Sequence, residues 1–327
     1  MQQQQQQQQK KETPSFFGSP SLDHALAGIG GAIVSTTALH PLDLVKIRLQ
    51  VDAASQGDAI IGRAVRAARH VLSTDGVFGL YRGLGANLAG NCASWGLYFA
   101  WYTWIKDQMA GERSFESASG TSTLSPVQHL VAGATAGALT QCMANPLWVV
   151  KTRMCTTSRG DPAAYRGLIH GLTQVASKEG LRGLYRGLAP GLLGVPHGGL
   201  QFMAYEEMKK WLLRRRRSDQ TAGRFTSSEY ALMSTSSKVF ALVVTYPSQV
   251  LRSRLQQQPG ANASASTGAT GTSYKGLGDA IVKIAMSEGI GGFYKGFGPG
   301  LVRVLPGNVI TFLVYENIAG YLRTHSR

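Results

Sequence analysis

The stretch His40-Pro-Leu-Asp-Leu-Val-Lys-Ile-Arg48 occurs in three related copies along this 327-residue chain. The second copy reads Asn145-Pro-Leu-Trp-Val-Val-Lys-Thr-Arg153, and the third reads Tyr246-Pro-Ser-Gln-Val-Leu-Arg-Ser-Arg254. Their prolines lie 105 and 101 residues apart. A period this regular predicts three tandem units of about 100 residues, rather than the two soluble domains that the length alone would suggest.

A second motif follows each copy of the first. It consists of an acid and a glycine, and then an aromatic residue, a base and a glycine. The three copies are Asp75-Gly76 with Tyr81-Arg82-Gly83, Glu179-Gly180 with Tyr185-Arg186-Gly187, and Glu288-Gly289 with Tyr294-Lys295-Gly296. Because two motifs recur at matched spacing, chance is not a reasonable explanation for the repeat.

The charged residues are few and unevenly distributed. Only 16% of the residues are charged, although about 25% is usual in soluble proteins. Four uncharged stretches and two stretches with one charge each reach the roughly 18 residues that a membrane-spanning helix needs. They lie between Asp23 and Asp43, and at Leu84–Ile105, Ser117–Val150, Gly187–Tyr205, Tyr230–Leu251 and Phe297–Tyr315. The pattern favours six transmembrane helices over the alternative, buried helices of a large soluble protein.

The net charge of +15 raises a different alternative, a basic soluble protein that binds nucleic acid. The long uncharged stretches argue against it, since they have no place in a groove for nucleic acid. Three cysteines form no CxxC pair, and we find no pattern of a nucleophile with its base. The sequence therefore predicts no catalytic residues, no metal site and no resident cofactor.

The two tripled motifs resemble the signature of the mitochondrial carrier family, PX[DE]XX[KR]X[KR] followed by [DE]GXXXX[YWF][KR]G, from about Ser21 to Arg323. The resemblance implies an all-α membrane protein with six transmembrane helices in three tandem repeats. It also implies threefold pseudosymmetry around a central cavity, three short matrix-side surface helices, and a monomer in the mitochondrial inner membrane. Both termini would lie on the intermembrane-space side.

These expectations divide the chain into one integral domain of three repeats. The parts are a disordered polyglutamine N-terminus at 1–20, repeat 1 at 21–110, a loop at 111–124, repeat 2 at 125–217, a loop at 218–227 and repeat 3 at 228–323.

The first motif is expected to form a gate on the matrix side. Proline kinks a helix, so Pro41, Pro146 and Pro247 would bring three helix ends together. Of the three acids that the family pattern expects, only Asp43 is present. Trp148 and Gln249 occupy the other two positions, while the bases Lys46, Lys151 and Arg252 are all kept. By family geometry Asp43 should pair with Lys151, Lys46 should face Gln249, and Arg252 should face Trp148. Drift of a structural site is the alternative explanation for the two missing acids.

The resemblance assigns two further sets of residues. A partial cytosolic gate would contain Lys106, Glu206, Lys209 and Glu316. The motif glycines would open the even-numbered helices and bind cardiolipin phosphates through their backbone N–H groups. These glycines are Gly76, Gly83, Gly180, Gly187, Gly289 and Gly296.

The substrate contacts of the family are expected seven residues beyond the last motif glycine of each repeat, at Gly90, Gly194 and Arg303. An arginine inside a membrane span is expected to have a functional role. Its planar guanidinium group can donate two hydrogen bonds to a phosphate or a carboxylate. A salt bridge that braces two helices is the alternative for Arg303. Lys238, the other charge within a span, either faces the cavity as a second anion contact or extends between helices.

The cargo is expected to be a flat, anionic heterocycle. The repeat-2 motif, with Trp148 in place of the acid, resembles that of a subgroup of the family that moves nucleotide-like or pterin-like molecules. The segments Pro196–Glu206 and Val314–Asn317 resemble the FAD and folate carriers. FAD is therefore the first expectation and folate the alternative, with NAD or a pyrimidine nucleotide less favoured.

Overall fold

The computed structural model describes residues 20–52, 60–110, 125–158, 160–161, 164–215, 225–258 and 274–324. The polyglutamine start, the loop at 111–124 and most of the loop at 218–227 lie outside the described residues.

Helices account for nearly all of the secondary structure in the described residues. The same order occurs three times: a long helix, a short helix, and a second long helical segment. The elements are α1 (Pro20–Val51), α2 (Ile60–Asp75), a 3-10 helix (Val77–Tyr81), α3 (Leu84–Ala110), α4 (Pro126–Thr156), α5 (Leu168–Leu184), α6 (Leu188–Leu193), α7 (His197–Arg215), α8 (Ser227–Gln257), α9 (Leu277–Gly292) and α10 (Phe297–Thr324). The expected short helices are present as α2, α5 and α9.

Side-chain caps determine where two of the long helices begin. Ser125 accepts a hydrogen bond from the backbone N–H of Gln128, whose side chain accepts from the Ser125 N–H at 2.8 Å. Thr226 and Glu229 form the same reciprocal arrangement at the start of α8. These boxes satisfy N–H groups that the first turn of a helix otherwise leaves unpaired.

The fourth predicted span differs from its expected form. Instead of one helix over Gly187–Tyr205, the chain forms α6 and α7, with a turn at residues 194–196 between them. Pro196 explains the break, because proline lacks an N–H donor and disfavours the helical conformation in the residue before it.

The chain divides into two compact units, and α1 and α10 each contribute to both. The larger unit is Leu44–Pro299, and the smaller contains the described residues up to Asp43 and from Gly300 onward. In the larger unit, each short helix packs its apolar side against the carboxyl end of the long helix that precedes it. Leu251 and Leu255 of α8, for example, pack against Ala280 and Ile284 of α9.

By length and composition alone, one helix of the described residues, Phe297–Leu322 in α10, is suited to cross a membrane, and little of it is buried within the protein. The other long helices of the described residues do not meet the same criterion, and their assignment as membrane spans stays a prediction.

Candidate gate and substrate site

An arginine ends each copy of the first motif, and each one binds the acid of the second motif in its own repeat. Arginine suits this role because its planar fork can hold both oxygens of a carboxylate. In repeat 3, Arg254 contacts Glu288 at 2.5 and 2.7 Å, with side chains that are 1% and 3% exposed. The equivalent pairs are Arg153–Glu179, also bidentate, and Arg48–Asp75 at 3.6 Å.

The same three arginines also join each repeat to the next. In each case the arginine Nε donates at 2.9 Å to the backbone carbonyl two residues beyond the equivalent arginine of another repeat. The contacts run from repeat 1 to 2, from 2 to 3 and from 3 back to 1. They are Arg48 to Cys155, Arg153 to Gln256, and Arg254 to Gln50. The three long helices thus meet in one closed ring of contacts.

The base of each second motif also contacts another repeat, in the same cyclic order. Arg82 donates to the carbonyl of Met154, Arg186 to that of Gln258, and Lys295 to that of Asp52, each at 2.9 Å. Carbonyls at the carboxyl end of a helix lack partners within the helix and attract cations. The second motif therefore caps the long helix of the next repeat.

The carboxylate of Glu288 lies between two bases of this network. Burial alone would raise its pKa, but hydrogen bonds from Arg254 and from Lys295 outweigh burial, and together they hold the pKa of Glu288 below its usual value. The carboxylate is therefore charged, and the pair acts as an ion pair at neutral pH.

All six motif glycines adopt positive φ angles, between 66 and 82°. The second glycine of each motif begins a helix and also lies against another repeat. A Cβ at Gly296 would lie 2.8 Å from the carbonyl oxygen of Lys46, and one at Gly187 would lie 3.0 Å from that of Arg252. The sequence pattern thus reflects both a left-handed turn and a close backbone approach.

Two of the expected contacts of the matrix gate are present in the larger unit. Lys46 Nζ donates to Gln249 Oε1 at 3.0 Å. The guanidinium of Arg252 lies 5.5 Å from the centre of the Trp148 ring, and Lys151 Nζ lies 5.0 Å from it. Trp148 therefore offers its π-face to two cations at a position where the family pattern has an acid.

Asp43 binds an arginine that was expected to contact substrate. Within the smaller unit, Arg303 Nη1 lies 2.5 Å from Asp43 Oδ1. The salt bridge considered as the alternative for Arg303 is thus present. The expected pairing of Asp43 with Lys151 would join the two units and stays a prediction.

The other expected substrate contacts have different surroundings. Gly90 is buried, and a Cβ there would lie 3.6 Å from the Trp148 ring. Gly194, at the end of α6, faces Ser248, whose Oγ would lie 3.7 Å from a Cβ. Lys238 is partly buried on α8.

The residues expected at the cytosolic gate are partly exposed. Glu206 Oε1 lies 4.0 Å from Lys209 Nζ, one turn along the same helix. Lys106 is partly buried near the end of α3, and Glu316 is exposed on α10.

Comparison with known proteins agrees with this architecture. The family model described as "Mitochondrial carrier protein" matches residues 18–113, 122–216 and 223–326. The chain therefore belongs to the mitochondrial carrier family, whose members are transporters rather than enzymes.

Three relatives cover nearly the whole chain. A chloroplastic folate transporter of Arabidopsis thaliana is 37% identical over 93% of this chain and 96% of its own length. The mitochondrial FAD carrier protein of Saccharomyces cerevisiae is 34% identical, over 92% and 97%. A chloroplastic nicotinamide adenine dinucleotide transporter of Arabidopsis thaliana is 34% identical, over 93% of each chain.

Sequence reasoning missed the ring of arginine contacts, although the residues were visible in the motifs. The last base of the first motif and the acid of the second are both tripled, which was a usable sign that they form pairs. The carbonyl partners carried no such sign, because backbone groups are the same in every residue.

Proposed function

We propose that this protein is a mitochondrial inner-membrane carrier that moves FAD across the membrane by alternating access. The observation that carries the proposal is that first-motif residues of different repeats contact each other, Lys46 with Gln249 and Arg252 with Trp148. These contacts join different repeats, so they must break when the carrier opens toward the matrix. The helices that carry them would then act as a gate.

The surface of the long helices supports the placement in a membrane. Large apolar side chains are more than half exposed on them, among them Trp95 (61%), Phe202 (66%) and Leu232 (67%). Exposed apolar surface of this extent is unusual for a soluble monomer, whereas lipid would cover it. The proposed arrangement is six transmembrane helices with threefold pseudosymmetry, kinked at Pro41, Pro146 and Pro247, and with both termini on the intermembrane-space side.

The charge of the candidate site supports an anionic cargo. In the larger unit, Lys46, Lys151 and Arg252 provide three cations; in the smaller unit, Arg303 provides a fourth and Asp43 provides one carboxylate. A phosphate or carboxylate group would bind this excess positive charge, and Gly90 and Gly194 are the candidate contacts for the flat ring of the cargo. Lys238 is a further candidate contact for an anion.

The proposal extends to the lipid that the carrier binds, its oligomeric state and its cytosolic gate. The amino-terminal turns that follow the motif glycines present backbone N–H groups, which bind phosphate. We expect cardiolipin at these turns and a functional monomer that uses no resident cofactor. The cytosolic gate would contain Lys106, Glu206, Lys209 and Glu316.

Folate is the second candidate cargo. The folate transporter and the FAD carrier are similar to this chain to nearly the same degree, at 37% and 34% identity. Both cargoes combine an anionic group with a flat heterocycle, so the site residues suit either one.

Transport by the purified protein in liposomes tests the proposal. We expect uptake of radiolabelled FAD, which Arg303→Ala abolishes while the variant still unfolds cooperatively. Lys178→Ala, which removes an exposed cation from α5, is the matched control and should transport normally. Uptake of folate without FAD would select the second candidate, and uptake of neither compound would overturn both.

A further inference from the structure

The antiparallel pairing of α1 and α10 determines where Arg303 and Asp43 meet. Ser35 Oγ donates to the carbonyl of Gly307 at 3.2 Å, and a Cβ at Gly307 would lie 3.3 Å from Leu39. Asp43 lies four residues beyond Leu39 on α1, and Arg303 lies four residues before Gly307 on α10, so the ion pair follows the Leu39–Gly307 contact along the two antiparallel helices. The ion pair is therefore the next step of a close-packed helix interface, and not an isolated contact between two long side chains.

The helices can approach this closely because small residues line the interface. A Cβ at Gly31 would lie 2.9 Å from the carbonyl oxygen of Thr311. Close backbone approach through glycine is a common way to pack helices in membranes. It holds the α-carbons of Asp43 and Arg303 at a separation that their side chains can span.

The two partners of the ion pair differ in their access to solvent. The Asp43 side chain is 4% exposed, whereas that of Arg303 is 37% exposed. An arginine has five N–H donors, so an anion that arrives from solvent can reach Arg303 while Asp43 is still covered. Two negative charges on one guanidinium repel each other, and the repulsion is strong where water is scarce.

We infer that Asp43 and an anionic group of the cargo compete for the guanidinium of Arg303. This inference rests on the proposed carrier function. In the empty protein, the Asp43–Arg303 pair ties α1 to α10. A phosphate or carboxylate of the cargo takes the place of Asp43, which removes the tie and frees the single acid of the first motifs. Cargo binding is thereby coupled to the helix that carries the gate, with no covalent step.

A double-mutant cycle on the purified carrier tests the competition. Dissociation constants for FAD and for inorganic pyrophosphate are measured in the wild type, Asp43→Asn, Arg303→Gln and the double variant. We expect Asp43→Asn to bind both anions about fivefold more tightly, which is the size expected for loss of a partly exposed competing ion pair. Arg303→Gln should bind them at least about tenfold more weakly. In the Arg303→Gln background, the Asp43 substitution should have little effect, because the shared partner is gone.

Asp279→Asn is the matched control, since it removes the same charge from a partly exposed pair with Lys283 on α9. It should leave both dissociation constants unchanged. If Asp43→Asn does not unfold cooperatively, Asp43→Ser replaces it in the cycle.

Three results would overturn the inference. The first is that Asp43→Asn binds the anions no more tightly than the wild type. The second is that Asp43→Asn tightens anion binding equally in the wild-type and Arg303→Gln backgrounds. The third is that Asp279→Asn tightens anion binding as much as Asp43→Asn does. The same measurements distinguish failure of the FAD proposal from failure of the competition. If pyrophosphate shows the expected cycle and FAD does not bind, the FAD proposal fails and the competition stands. If FAD is transported and the cycle shows no coupling, the competition fails and the carrier function stands.

Discussion

The buried, bidentate ion pair between Arg254 and Glu288 offers the sharpest test of how the repeats are held together. Arg254→Gln removes both contacts to Glu288, and with them the 2.9 Å bond to the carbonyl of Gln50 in repeat 1. It leaves a carboxylate that is 3% exposed with Lys295, at 2.8 Å, as its remaining cation.

The expected loss follows from this geometry. Breaking a buried ion pair by removing one partner costs about 3–5 kcal/mol. Because Lys295 still neutralises Glu288, we expect about 2–4 kcal/mol for Arg254→Gln. At roughly 2–4 °C per kcal/mol for a chain of this size class, the midpoint of thermal unfolding should fall on the order of 10 °C.

The cysteines of the chain supply the assay. Cys155 is buried in the folded protein, Cys142 is partly buried and Cys92 is exposed. In a Cys92→Ser background, a thiol-reactive fluorophore therefore reports unfolding chiefly through Cys155. The control is Lys283→Gln, which breaks a partly exposed pair on the same helix as Glu288 and should cost less than about 1 kcal/mol.

A second variant separates the ion pair from simple loss of packing. Arg254→Gln combined with Glu288→Gln removes the buried carboxylate and should recover part of the lost stability, because no uncompensated charge remains. An unfolding midpoint for Arg254→Gln within about 2 °C of the Lys283→Gln control would refute the reasoning, given that each kcal/mol moves the midpoint by a few degrees.

Two further predictions concern the contacts between repeats. Gly296→Ala should lower the free energy of unfolding by about 3 kcal/mol, since it combines a positive φ with a Cβ at 2.8 Å from the Lys46 carbonyl oxygen. Gly289→Ala has positive φ and open space around it, and should cost only about 1–2 kcal/mol in the same unfolding assay. Equal losses would contradict the role of packing. Gln249→Glu converts the 3.0 Å contact with Lys46 into an ion pair. It should slow transport in liposomes about fivefold, as a gate stabilised by roughly 1 kcal/mol would; an unchanged rate would argue against the gate.

Much of the secondary structure followed from local sequence. The repeat, the short helices and the helices that begin after Gly83, Gly187 and Gly296 were all predictable, because each depends on residues close together in the chain. The fourth predicted span is interrupted rather than one continuous helix, for a local reason that its lack of charge does not reveal. Lack of charge indicates an apolar environment, but it does not indicate a continuous helix, and Pro196 interrupts this one.

The candidate site was predictable in its residues and less so in its contacts. Lys46–Gln249 and Arg252–Trp148 were expected from the family pattern and are present. The contact between Gly90 and the Trp148 ring was not expected, since a glycine in a sequence does not indicate which side chain fills the space beside it.

By itself, the sequence determined that this protein is built from three copies of one helical unit, and that one acid and three bases occupy the expected gate positions of its first motifs. Motif spacing and charge are properties of the chain, and they do not depend on how the helices pack. Only the tertiary structure decided that Asp43 binds Arg303, which lies 260 residues away in the sequence. That pairing depends on how α1 packs against α10, where the backbones approach closely at Gly31 and the Leu39 side chain lies against Gly307.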